Sequence, residues 1–137
     1  MTTYLHIGYP KTATTWLQKQ LFPRVKNYRM VDRSDISRVL IQEHALCFKP
    51  EMARDELTKK YGTNLIISLE GFVGTVHNFG LNGYLTKEHA YRLKSVFPEA
   101  RIILFIRRQQ DIIASSYYQY IVGGGTYSIN SYLKDHS

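Results

Sequence analysis

Cysteine is the scarcest resource in this chain: of 137 residues only Cys47 carries a thiol. One thiol excludes an internal disulfide and a cysteine-based metal cluster. Placed in the apolar run 45–48, it is expected to be a packed core thiol rather than a nucleophile. The five histidines (His6, His44, His77, His89 and His136) have no paired ligand spacing, and no metal is expected. No apolar run approaches the length that crosses a bilayer. The first residues lack the charged-then-apolar pattern of a secretory signal, so a reducing cytoplasm is the expected setting. Acidic residues are also in short supply, 11 against 18 lysines and arginines, for a formal net charge of +7. Such a balance speaks to partners rather than to fold. It fits a polyanionic small molecule, an acidic polysaccharide, a nucleic acid or a membrane surface. No run alternates aromatic with basic residues as single-strand binders do, so nucleic acid is not expected despite eleven tyrosines.

What is present is globular: 44% apolar and 21% charged residues in a length that fits one domain with a real core. Strands are predicted at 4–7, 64–69 and 100–106, the last two as apolar, β-branched runs buried on both faces. Helices are predicted from about Thr12 to Pro23, over 34–46, from Pro50 to a stop at Gly62, from Thr86 to before Pro98, over 111–121, and from Ser128 to Lys134. In the third of these, Met52, Leu57 and Tyr61 are expected on one side. The segments 24–33 and 72–85 read as loops, the second long and glycine-rich. The alternation of strands and helices argues for an α/β layered fold with parallel strands. Three strands are few for such a sheet, and the chain is expected to be a single domain, 1–137, forming the N-terminal portion of a larger fold.

The opening unit is the most informative. Strand 4–7 runs through a tight loop at 8–11 into a helix, which leaves unpaired backbone N–H groups and a positive dipole end aimed at one point. Lys11 adds a full charge there, and Thr12, Thr14 and Thr15 add hydroxyl donors. This is an anion site for phosphate or sulfate. The nucleotide pattern G-x-x-x-x-G-K-[ST] fails, because the lysine here follows a proline and precedes the threonines. The plain alternative is a strand–turn–helix whose threonines only cap the helix.

Near the other end, Arg107, Asp111 and Ser115 recur at spacings of four across a strand-to-helix junction. An arginine fork plus a hydroxyl suits a terminal phosphate. The alternative is an Arg107–Asp111 ion pair with Ser115 incidental. Glu70, with Gly71, follows directly on the predicted strand 64–69, at the edge where open α/β sheets bind ligands.

Taken together, Tyr9-Pro-Lys-Thr-Ala-Thr-Thr-Trp16 and Arg107-x-x-x-Asp111-x-x-x-Ser115-x-Tyr117 resemble the PAPS-dependent sulfotransferase family, in its bacterial type. PAPS is 3′-phosphoadenosine 5′-phosphosulfate, the sulfonate donor. The resemblance implies a P-loop-like three-layer α/β sandwich around a mainly parallel sheet. It implies that the loop of Pro10, Lys11, Thr12, Ala13, Thr14 and Thr15 holds the 5′-phosphosulfate, with Lys11 on the bridging oxygen. Trp16 would pack near the adenine, or alternatively anchor the first helix in the core. Arg107 and Ser115 would hold the 3′-phosphate. Ser68-Leu-Glu70 resembles the Ser-x-Glu element of bacterial members, which makes Glu70 the expected base for the acceptor hydroxyl, with His77 as the rival. Ala13 stands where many members have glycine; alanine is compatible with a helical position and closes the loop less freely. The acceptor, a glycan, lipid headgroup or small molecule, is not encoded in any recognisable pattern. Competing readings are a P-loop kinase or NTPase and a non-catalytic polyanion binder.

Overall fold

A computed structural model describes residues 2–8, 11–73 and 85–135. Its strands are β1 (Thr3–His6), β2 (Arg29–Met30), β3 (Leu65–Ser68) and β4 (Arg101–Ile103). They pair in parallel throughout, in the order β2-β3-β1-β4. Six helical segments accompany them. The first, α1, opens as an α-turn at Thr14–Trp16, widens to π-type bonding over Leu17–Leu21 and tightens to a 3-10 turn at Phe22–Arg24. The second, α2, likewise passes from α (Arg33–Ile36) to π (Ser37–Gln42). They are followed by α3 (Pro50–Tyr61), α4 (Thr86–Val96), α5 (Gln109–Val122) and α6 (Ile129–Asp135).

Side chains alternate across a strand, so each strand feeds two cores. Leu5, Leu65 and Ile67 face a large one, completed by Ile36 and Leu40 of α2, Leu57 of α3, and Leu93 and Val96 of α4. Tyr4 and Ile66 turn to the opposite face, against Leu17 and Phe22 of α1. Helices thus cover both faces of a parallel sheet, in the three-layer α/β arrangement expected. The long run 64–69 yields the central strand β3, whose four residues are all buried. Helix α3 starts at Pro50, where a missing N–H costs nothing, and stops at Gly62, whose φ of 87° suits glycine. Pairs of charges tie α2 to α3: the Asp35 carboxylate accepts from Lys60 Nζ at 2.6 Å, Tyr61 Oη at 2.5 Å and Arg38 at 3.2 Å, and these bonds hold its pKa far below the usual carboxylate range.

Four expectations are corrected. The loop 24–33 contains strand β2, which sits at the sheet edge and pairs through backbone bonds, with Arg29 N–H donating to Asn64 O and Val31 N–H to Ile66 O, both at 2.9 Å. The run 100–106 is a three-residue strand, and Ile102 (55% exposed) and Ile106 (78%) are open to solvent, because β4 has a neighbour only in β1. Cys47 is exposed in the turn after α2 rather than packed in the core. On α3 the buried residues are Ala53 and Leu57, whereas Met52 faces solvent. The greater part of the predicted loop 72–85, with His77, lies outside the described residues, as does Pro10.

Strand order reverses around β1. The connection from β1 leaves toward β2 with α1 on one face, while that from β3 crosses to β4 with α4 on the other. Adjacent strands whose connections diverge open a crevice beyond their carboxyl ends, where ligands of open α/β sheets bind. The register His6↔Ser68 and His6↔Ile103 brings the ends of β1, β3 and β4 level. Gly8, Lys11, Glu70 and Arg107 all belong to segments leaving that edge.

Candidate functional site

The loop after β1 is built from backbone conformations that side-chain-bearing residues rarely adopt. Lys11 has φ 67° and Ala13 φ 60°, both left-handed. Alternation of left-handed with other residues turns successive N–H groups to one side, the concavity that binds anions. Ala13 is the N-cap of α1, and no side-chain cap hydrogen bond is made there. The N-cap position is thus taken by an alanine and not by one of the threonines. Ala13 is also not in the helical position that a helix from about Thr12 would give it. A left-handed alanine costs roughly 1–2 kcal/mol, more than the extra chain entropy that glycine loses. Ala13→Gly is accordingly expected to raise the free energy of unfolding by about 0.5 to 1 kcal/mol, measured by urea denaturation; a loss of stability would show that the loop is not strained there.

The threonines divide. Thr14 is buried, with its hydroxyl 3.5 Å from that of the half-buried Thr12, while Thr15 is exposed. Trp16 is 58% exposed, so it is not an anchor of the core, and its ring is open to stacking by a ligand base. Lys11 is half-buried and presents its charge from the loop itself.

The second motif meets the first. Arg107 Nη1 donates to the carbonyl oxygen of Lys11 at 3.0 Å, across 96 residues of sequence. Arg107 Nε lies 4.0 Å from Asp111 Oδ2, whereas Arg108 Nε is 3.0 Å from the same oxygen, so Asp111 is engaged chiefly by Arg108. Among the described residues Arg107 has a long ion pair and a backbone acceptor, with its guanidinium at the loop. Ser115 lies one turn beyond Asp111 on α5, half-buried. Among the described residues no hydrogen bond joins Ser115 to Arg107, and the residue buried beside it is Ser116.

Glu70 opens a 3-10 turn, Glu70–Val73, directly after β3. It is half-buried and takes part in no ion pair among the described residues. That leaves its carboxylate available as a base at the crevice.

One group of site residues is invisible from the motifs. His6, the last residue of β1, is fully buried, and its Nδ1 is 2.7 Å from Ser68 Oγ. Gln18 of α1 donates to the same oxygen at 3.0 Å and to the Ser68 carbonyl at 3.2 Å. These bonds tie β1, β3 and α1 together just under the loop. Burial pushes the His6 pKa below its ordinary value, and the nearby Glu70 charge pulls it partly back. The available signal was a histidine inside an otherwise apolar strand, at the foot of the loop. Comparison of the chain with protein-family models, with curated proteins and with solved structures finds no match in any of the three.

Proposed function

We propose that the chain is a sulfotransferase that moves the sulfonate group of PAPS to a hydroxyl or amine of an acceptor. The observation that carries this reading is the hydrogen bond from Arg107 to the Lys11 carbonyl at 3.0 Å, which couples two anion-binding motifs into one crevice. Two phosphate-sized charges on one small molecule would then be held at once, the 5′-phosphosulfate by the loop 10–15 and the 3′-phosphate by Arg107 and Ser115. The exposed Trp16 ring offers an adenine a stacking surface. In the reaction the acceptor oxygen attacks sulfur, the bond from sulfur to the phosphate oxygen breaks, and adenosine 3′,5′-bisphosphate leaves. Lys11 neutralises the charge that grows on that oxygen. Glu70 takes the acceptor proton. Such a transfer asks the protein for alignment and charge neutralisation above all.

The test is calorimetric titration with adenosine 3′,5′-bisphosphate. Micromolar or tighter binding is expected for the wild type. Truncating one partner of a close charge contact removes about 2–5 kcal/mol, so Lys11→Ala and Arg107→Ala should each weaken binding by roughly 30-fold or more. Absence of binding by the folded wild type would overturn the reading. Binding of ATP with magnesium-dependent turnover in its place would point to a kinase or NTPase, and polyanion binding that survives Lys11→Ala would point to a charge-driven binder.

A further inference from the structure

His6 lies where its environment makes little sense as packing alone. Its ring is enclosed by Phe22 of α1 at 5.2 Å and by Phe105, after β4, at 5.5 Å, both edge-on. Nδ1 is bonded to Ser68, but Nε2 has no hydrogen-bond partner among the described residues, although it is wholly buried. Unpaired buried polar atoms are costly and rare. The bonding pattern favours one neutral tautomer. Gln18 already donates to Ser68 Oγ, so the Ser68 hydroxyl proton is free to go to Nδ1 of a neutral imidazole, which places the ring proton on Nε2. In the imidazolium the first bond reverses, with Nδ1–H donating to Ser68, and Nε2 still carries a proton. In both of these forms Nε2 is a donor in want of negative charge, and in the other neutral tautomer it is the atom that would gain a proton.

That donor points at the loop. A methyl group added at Gly8 would stand 3.1 Å from His6 Nε2 and 3.1 Å from Thr12 Oγ1. The absent side chain of Gly8 thus leaves the imidazole close against the backbone of Gly8 and near Thr12, at the loop that carries Lys11. The surroundings contribute little else that is charged. Gln18 and Phe22 meet the ring from α1, Ser68 from β3 and Phe105 from beyond β4, and Glu70 supplies the one charge felt from the turn after β3.

We propose that His6 is a positioning residue of the anion loop, a buried imidazole that takes up a proton when a phosphate or sulfate anion seats in the loop and so adds positive charge beneath it. The inference rests on the loop 10–15 being the anion seat of the function proposed above. With the loop empty, burial keeps the ring neutral near pH 7. A seated anion stabilises the cation, so affinity rises as pH falls, by at most about tenfold per pH unit when a full proton is taken up. The sign for stability is opposite in the empty protein. Below the unfolded histidine value of 6.5 the unfolded chain binds the proton first, so stability declines as pH falls toward the lower folded value, and bound anion flattens that decline.

Sodium sulfate is the probe, since it does not itself titrate near neutrality. Calorimetry in two buffers of different ionisation enthalpy, between pH 6 and 7.5, should show the wild type taking up a fraction of a proton per sulfate. His6→Gln, which retains an amide donor but cannot titrate, should bind sulfate with no uptake and no pH dependence. Side-chain 15N spectra of the wild-type histidines, free and with sulfate, give the same answer without any variant: the His6 nitrogens should move toward imidazolium values. Uptake that persists in His6→Gln, or sulfate binding that leaves the His6 nitrogens unmoved, would overturn the inference. If the wild type binds adenosine 3′,5′-bisphosphate but His6 does not respond, the inference fails and the sulfotransferase reading stands. If sulfate binds with proton uptake and the bisphosphate does not bind, the reverse holds, and binding of neither anion sinks both.

Discussion

Glu70→Gln is expected to lower kcat by about 10²- to 10⁴-fold, the range associated with loss of a general base, while leaving the Kd for adenosine 3′,5′-bisphosphate unchanged. The substitution keeps shape and hydrogen-bonding capacity and removes only basicity. Glu70 is suited to the role by position: it is the second residue beyond β3, level with Gly8 beyond β1, on the two strands between which the connections diverge. No ion pair among the described residues diverts its charge. Single-turnover transfer from PAPS to an accepting hydroxyl, with binding measured in parallel, separates the two effects. Retention of full kcat would remove Glu70 from the chemistry and return the role of base to His77. Loss of binding and rate together would instead make Glu70 a structural support for the loop through its field on His6.

The largest expected effect on folding comes from Ile67→Ala. Ile67 is fully buried on β3, the strand flanked by both β1 and β2, and it faces the core closed by α2, α3 and α4. Removing three carbons there leaves a cavity that three helices cannot all close, for a cost of about 2–5 kcal/mol. Ile102 on β4 offers the internal control. At 55% exposure its replacement by alanine should change stability by no more than about 0.5 kcal/mol. Urea unfolding of both variants reads the difference directly. Equal losses would mean that β4 is covered in solution.

Parts of this arrangement were legible because a residue type and a period agreed. Six consecutive residues from Asn64 made β3 readable as a central strand, and proline and glycine bracketed α3. Charge and spacing singled out the motifs of Lys11 and Arg107, and the hydrogen bond between these two residues joins them. What escaped the sequence was set by backbone. Strand β2 is two residues long, with an arginine and a methionine, and exists because Asn64 and Ile66 offer carbonyls to its N–H groups. The apolar run at 100–106 carried a strand signal, but burial depends on a second neighbour that β4 lacks. The helix was read from about Thr12, which would include Ala13, yet Ala13 is left-handed and precedes the helix. Four-residue spacing linked Arg107 with Asp111, while the observed pairing favours Arg108 and sends Arg107 to a peptide carbonyl, a partner that no side-chain pattern encodes.

The last two helices are joined by tyrosines. Tyr117 stacks near Tyr120 and Tyr132, Tyr120 and Tyr132 lie 5.1 Å apart, the Tyr117 hydroxyl donates to the Tyr127 carbonyl, and the Tyr120 hydroxyl accepts from the N–H groups of Thr126 and Tyr127. All these partners lie within 15 residues of one another along the chain. The sheet, by contrast, must bring together β1 and β3 across 62 residues, and its junction with Arg107 spans 96. Closing a long loop costs entropy that a short one avoids, and rates of formation follow. The chain is therefore a composite of a fast local hairpin and a slow parallel sheet. The crevice between β1 and β3 is completed only with the slow part, so the anion binding proposed for it would arrive with the last long-range contacts to form.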